Sequence, residues 1–307
     1  MSDKHTAARF EPGAVIAERY EVRQLLGKGG MGEVYLARDL QNGQDVALKT
    51  LLAKYAESRH AIARFSREVR LARQLDHKGI VKILDAQKWQ DFLFYTMEYI
   101  DGKSLRVWLR QRGTIDIGST VRVLCLVADA LEHAHKITIH RDLSPENIMV
   151  LRDGSVRLLD FGLAKLDDQY KGLTMVGANL GKLRYMAPEQ ELNAAEVDHR
   201  ADIYPLGMMF FEMLTGRSPL PGQKITDFCP ELPKQADEFL ARSIARDPNE
   251  RYSSARQFRD ALMLLYRQIK ETEEQRAASG KTATAPAAKT GLSGRFRAFF
   301  RRLLGRG

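Results

Sequence analysis

From His140 to Gly162 the chain reads HRDLSPENIMVLRDGSVRLLDFG, and this run constrains the fold more than any other. Its two short apolar segments predict a pair of strands, and Asp142, Asn147 and Asp160 all stand where such strands end. A carboxylate with a carboxamide five residues on, then a second carboxylate before Phe161 and Gly162, can accept a hydroxyl proton and hold magnesium. That is the equipment phosphoryl transfer needs, because its chemistry is mostly positioning and charge neutralisation.

The 307 residues suffice for two modest lobes with cores of their own. Cys125 and Cys229 are the only cysteines, without zinc-like spacing, so neither a disulfide framework nor a metal knuckle is indicated and a reducing cytosol fits. The opening MSDKHTAARFEPG lacks a signal-peptide apolar core, and no apolar run approaches the roughly 18 residues that span a bilayer. The expected location is the cytoplasm, with the membrane's inner face as a peripheral option. Net charge is +9, but the body is nearly neutral and the excess lies after Glu274, in Arg276, Lys281, Lys289, Arg295, Arg297, Arg301, Arg302 and Arg306. A nucleic-acid-binding catalytic domain is not suggested; an anionic partner should meet the tail.

Residues 1–18 read as a flexible leader and 19–100 as a first lobe. YEVRQLLG and EVYLARD alternate as strands around GKGGMG, where Gly27, Gly29 and Gly32 leave amides free to close over phosphates and Val34 returns to cover a base. By itself that glycine pattern is as often an ordinary turn. DVALKTL carries Lys49 in an apolar setting. In ARFSREVRLARQL, Phe65, Val69, Ala72 and Leu75 recur at helical spacing and Glu68 can face Lys49. GIVKILDAQ and FLFYTMEYI complete an expected five-stranded antiparallel sheet with one helix. MEYIDG then opens the second lobe, residues 101–275, where the period turns helical and Cys125 falls on a core face. The apolar helix from Asp202 through IYPLGMMFFEMLTG is its expected axis, and Ser254 with Gln257 starts a last helix. Residues 276–290 are small and polar, a flexible linker.

Glycine loop, VALK, helix glutamate, HRD, PEN, DFG and APE follow one another in the order found in protein kinases. Over roughly residues 19–268 the chain resembles the bacterial Hanks-type serine/threonine protein kinases, GKGGMGEVYLARD especially. The resemblance implies an α+β bilobal fold, a small antiparallel-sheet lobe with one main helix and a larger, mostly helical lobe. It implies ATP and Mg2+ as cofactors and proteins as substrates. Lys49 would grip the α and β phosphates with Glu68 as its partner, Asp142 would orient and deprotonate the acceptor hydroxyl, and Asn147 and Asp160 would bind magnesium. Leu26, Val34, Ala47 and Met149 would enclose adenine, Met97 would stand behind it, and the backbone from Glu98 to Ile100 would be the hinge. Asp202 would brace the backbone at His140 and Arg141, and Glu189 would pair with Arg251. Arg141 would receive a phosphate carried by Thr174, the only serine or threonine between Gly162 and Ala187.

Two departures stand out. Where the family usually has lysine two positions after the catalytic aspartate, this chain has Ser144, and where it usually has threonine before the APE segment, this chain has Lys182. The expectation is that the Lys182 ammonium replaces the missing one; the alternatives are two damaging changes or a solvated lysine. SPLPGQKITDFCPELP is also short for the substrate-docking helix the family places there.

In residues 291–307, GLSGRFRAFFRRLLGRG, apolar residues recur at three- and four-residue intervals among five arginines. Such a strip suits the surface of an anionic membrane, or else a partner protein or the kinase's own surface. The competing account of the whole chain is a pseudokinase scaffold that recruits partners without transferring phosphate. Intact Lys49, Asp142, Asn147 and Asp160 favour an enzyme, while Ser144 favours the scaffold; a small-molecule kinase is a third possibility that the APE segment disfavours.

Overall fold

A computed structural model describes residues 9–29, 32–51, 59–161, 180–192 and 197–278. Thr174 and the basic 291–307 tail lie outside the described residues. The chain divides into two units, Met1–Arg267 and Gln268–Gly307, and every candidate catalytic and nucleotide-contact residue belongs to the first.

The first lobe is an antiparallel sheet of six strands, in the order β1-β2-β3-β4-β6-β5. They are β1 (Val15–Ile16), β2 (Tyr20–Gly29), β3 (Gly32–Asp39), β4 (Gln44–Leu51), β5 (Ile83–Trp89) and β6 (Phe92–Glu98). The expected five strands are thus corrected to six, because two residues inside the supposed leader pair with β2, Val15 with Glu21 and Ile16 with Tyr20. Residues 9–18 are not a loose leader either. Ile16 is fully buried, and the Phe10 ring packs against Tyr35 and Phe92 at 5.7 and 5.3 Å. An isolated aromatic in a polar stretch carries no period, so sequence alone hides this docking.

From Phe92 to Met97 every residue of β6 is buried, as befits a strand flanked by β4 and β5 and covered on both faces. Helix α1 (Arg59–Ala72) turns Phe65, Glu68, Val69 and Ala72 inward at three- and four-residue spacing. Gly32 is the loop glycine whose backbone demands glycine. Its φ is +155°, and a Cβ there would lie 1.7 Å from the Thr50 carbonyl oxygen. A Cβ at Gly27 would meet nothing within 4 Å, so that stretch of the loop faces open space.

The second lobe starts with β7 (Gly102–Ser104), which joins β8 (Ile148–Leu151) and β9 (Val156–Leu158) in a three-stranded sheet. The rest is helical: α2 (Leu105–Arg112), α3 (Ile117–Ala134), α4 (Leu180–Leu183), α5 (Pro188–Leu192), α6 (Ile203–Thr215), α7 (Gln235–Ser243) and α8 (Ala255–Ala278). Asp116 caps α3 by accepting from the Ser119 amide at 2.9 Å. In α6 every residue from Pro205 to Met213 is buried, which makes it the axis of the lobe, and Pro205 is tolerated in its first turn where an amide has no intrahelical partner. Gly207 lets α7 approach: a Cβ there would stand 2.5 Å from Ser243 Cβ. Between α6 and α7 the chain holds one short 3-10 turn, Ile225–Asp227.

Candidate active site

Asp202 organises the loop that carries Asp142. Its buried carboxylate accepts from the His140 amide at 2.9 Å, from the Arg141 amide at 2.9 Å and meets His135 Nε2 at 2.8 Å. It makes no capping bond to α6, so the role of N-cap, the simplest one for an aspartate at that position, is not the one it plays. Burial alone would raise its pKa; the His135 contact and the loop amides outweigh that and hold it below the ordinary carboxylate range. With Asp202 bonded to its amide, Arg141 adopts φ +65°, a left-handed conformation that few non-glycine residues take.

His140 is fully buried. The Asp142 amide donates to His140 Nδ1 at 3.3 Å, so Nε2 carries the ring proton and donates to the Leu159 carbonyl at 2.9 Å. One imidazole thereby ties the catalytic loop to the backbone just before Asp160. Asn147 donates both to the Asp142 carbonyl at 2.7 Å and to Asp142 Oδ2 at 2.9 Å. Its amide hydrogens are spent on holding Asp142, which leaves its carbonyl oxygen as the group to offer a cation.

Lys182 Nζ reaches the same Asp142 Oδ2 at 3.1 Å, both side chains being about one-third exposed. The replaced lysine position, Ser144, is buried and 1% exposed.

On the opposite wall Lys49 Nζ lies 2.5 Å from Asp160 Oδ2, and the Tyr95 hydroxyl donates to Asp160 Oδ1 at 2.5 Å. Burial would push the Asp160 carboxyl up, but the ammonium and the phenol overcome it and keep it below its ordinary range. Burial, then the adjacent carboxylate, pushes the Tyr95 hydroxyl well above an ordinary phenol, so it acts as a donor at neutral pH. Asp160 itself has φ +60°.

The expected Lys49–Glu68 pair needs correction. Glu68 is 3% exposed on the inner face of α1, but the ion pair that Lys49 forms among the described residues is with Asp160. A buried carboxylate needs a countercharge, and Lys49 is the ammonium within reach of Asp160.

Ala47 and Met97 are cross-strand partners, 6% and 4% exposed, while Val34 pairs with Gly27 and Leu26 is exposed. Met149 lies on β8 opposite Arg157. The Glu98 amide is taken by the Lys82 carbonyl at 3.0 Å, and its side chain accepts from the Lys82 amide at 3.1 Å. Arg141 donates to the Val197 carbonyl at 3.1 Å.

Two features escaped the sequence reading. Tyr95 hides in an apolar strand, although the two-residue period places it on the face of Met97. Below the catalytic loop, Arg106 donates to Glu146 at 2.8 Å, to Glu212 at 2.7 Å and to the Tyr185 hydroxyl at 2.5 Å, and Tyr185 donates to Glu212. Those four residues come from α2, the PEN turn, α6 and the segment before APE, and no local pattern joins them. The expected Glu189–Arg251 pair is a bidentate bridge of 2.6 and 2.7 Å around a guanidinium with no exposed surface.

An amide oxygen and a carboxylate are hard oxygen donors of the kind magnesium takes in small number, completing its shell with phosphate and water. Among the described residues no group of three or more His, Cys, Asp or Glu side chains is arranged to hold a metal. The pair Asn147 and Asp160 therefore fits magnesium bound together with a polyphosphate, and does not fit an all-protein cage.

Residues 20–277 match the family model described as the protein kinase domain. The chain belongs to this family. Its kinase domain is of the bacterial Hanks type, like those of the relatives it matches. It is 32% identical over 259 residues to the serine/threonine-protein kinase PrkC of Bacillus subtilis, a match covering 79% of this chain and 40% of PrkC. It is 33% identical over 276 residues to PknB of Mycolicibacterium smegmatis, covering 82% of this chain and 43% of that one. The chain thus spans about two-fifths of the length of these curated relatives. Among solved structures, the PknI kinase domain of Mycobacterium tuberculosis superposes with a TM-score of 0.68 at 30% identity, covering 83% of this chain and 99% of that domain. Among the described residues no helix of the kinase is long and apolar enough to cross a membrane.

Proposed function

We propose that this kinase domain transfers the γ-phosphoryl group of ATP to serine or threonine hydroxyls of proteins, with magnesium, and modifies its own Thr174. The observation that carries the proposal is Asp142, whose carboxylate is fixed by Asn147 and touched by Lys182. When bound, magnesium would neutralise phosphate charge that the side chains alone do not offset. Asn147 and Asp160 would hold it through oxygen. Lys49, held by the Asp160 carboxylate in this structure, orients the α and β phosphates. Ala47, Val34, Leu26 and Met149 enclose the adenine, with Met97 at the rear and the Glu98 to Ile100 backbone at the edge. Asp142 accepts the proton of the acceptor hydroxyl as that oxygen's electron pair forms the new bond to the γ-phosphorus, while the bond from that phosphorus to the β,γ-bridging oxygen breaks and its electrons leave on ADP.

Lys182 takes the place of the lysine that Ser144 lacks. Its contact with Asp142 supports this over a solvated lysine, since an ammonium 3.1 Å from the base also stands where the transferred group must pass. Arg141 receives the Thr174 phosphate. Residues 291–307 dock on an anionic membrane; their deletion should release the protein from anionic liposomes, and retained binding would dismiss that part.

The deciding assay is incorporation of label from γ-labelled ATP by wild type and by Asp142→Asn, with phosphosites mapped by mass spectrometry. Label on Thr174 and on an added protein, lost in Asp142→Asn, is the expected result. No incorporation by wild type with nucleotide and divalent metal would leave a scaffold.

A further inference from the structure

Tyr95 is fully buried on β6, an inner strand of the sheet between β4 and the edge strand β5. It is the direct cross-strand partner of Lys49, so the two side chains share a face, with the ammonium 5.8 Å from the ring centroid. Each neighbour takes one oxygen of Asp160: Tyr95 holds Oδ1 and Lys49 holds Oδ2, both at 2.5 Å. The surroundings are otherwise apolar, with Ala72, Ile80, Val81, Ile83 and Phe161 lining the small space around the ring and Phe65 of α1 packed on it at 6.4 Å. A phenol in such a place would cost free energy unless its hydroxyl found a partner, and that partner is Asp160.

Asp160 cannot be aimed by regular structure. It lies beyond β9, with a left-handed backbone that belongs to neither strand nor helix. Its carboxylate plane is set by what grips its two oxygens. Each oxygen keeps a further lone pair after accepting one hydrogen bond, so a cation can be added without breaking either contact.

We infer that Tyr95 is a positioning residue for the cation-binding carboxylate, fixing the plane of Asp160 so that its remaining lone pairs stand ready for magnesium. This rests on Asp160 being a cation ligand. The group behind a metal ligand orients it, and loss of such a group commonly lowers metal affinity about 10- to 100-fold. A phenylalanine keeps the ring, the contact with Phe65 and the volume, and removes only the donor.

The test uses the full chain with ADP and Mn2+ as a stand-in for magnesium, with free Mn2+ read by electron paramagnetic resonance. Wild type, Tyr95→Phe and Asp160→Asn are compared, together with binding of ADP in excess EDTA and the thermal midpoint. Tyr95→Phe is expected to raise the Mn2+ Kd about 10-fold while leaving metal-free ADP binding unchanged. Incorporating 4-fluorophenylalanine at 95, which keeps more of the ring's shape, should do the same and serves if the Phe variant is unstable. Unaltered Mn2+ affinity in both variants overturns the inference, and tighter binding overturns it by making Tyr95 a competitor of the metal. If Asp160→Asn binds Mn2+ as wild type does, Asp160 is no ligand and the underlying reading falls as well.

Discussion

Asp142 and Asn147 lie on one loop whose amides at His140 and Arg141 are clasped by Asp202 and whose side chains bond each other. Lys49 and Glu68 come from a strand and a helix of the other lobe, and Lys49 is paired across the cleft to Asp160, not to Glu68. The first wall is held by buried bonds within its own lobe. Lys49 on the second wall is held by Asp160, which on the proposed reading the metal would also claim. The acceptor side is finished by folding, then, whereas on the proposed reading the phosphate side would take its working arrangement together with the nucleotide.

The sharpest way to break this contrast is Asp202→Ala. It removes a buried carboxylate from two amides and a histidine, and the expected cost is about 3–5 kcal/mol in urea unfolding, with phosphoryl transfer lost alongside. A cost below about 1 kcal/mol would mean that the loop is held by something else. Next comes Lys182→Thr, expected to slow label transfer about 100-fold while leaving the urea midpoint in place, because Lys182 is partly exposed and acts on charge in the cleft. An undiminished rate would return Lys182 to solvent and leave Ser144 uncompensated.

The smallest effect is a pH dependence of stability. Asp202 and Asp160 both have folded pKa values below the ordinary carboxylate value of about 3.9. Their contribution is therefore fully present above that value and is lost as pH falls through the lower, folded values. Urea midpoints should hold level from neutrality to about pH 5 with respect to these groups and decline below about pH 4, and Asp202→Asn should shallow the decline. An equally steep acid limb in Asp202→Asn would assign the loss to other groups.

The acceptor wall was the more legible in sequence because its parts are close in the chain. HRDLSPEN puts Asp142 and the Asn147 that bonds it within eight residues, and the Asp202 brace and Glu189–Arg251 bridge follow from the family resemblance. What stayed hidden depends on three-dimensional charge balance. Nothing in VALK says that its lysine prefers Asp160 to Glu68. Nothing in FLFYTMEYI marks one aromatic as polar in function, since a strand buried on both faces erases the alternation that would separate Tyr95 from its neighbours. The Arg106 cluster draws single residues from four elements, and the first strand is two residues long, too short for any period to register.

The clasp at Asp202 bears on how such a molecule can be turned on and off. A base whose seat is set by folding leaves two places where a signal could act: the Arg141 side of that loop, where the proposed Thr174 phosphate would arrive, and the roof of the cleft, through α1 and Lys49. A small molecule lodged in the cleft would meet a floor seated by Asp202 and, at the other wall, an Asp160 carboxylate whose two oxygens are already held by Tyr95 and Lys49.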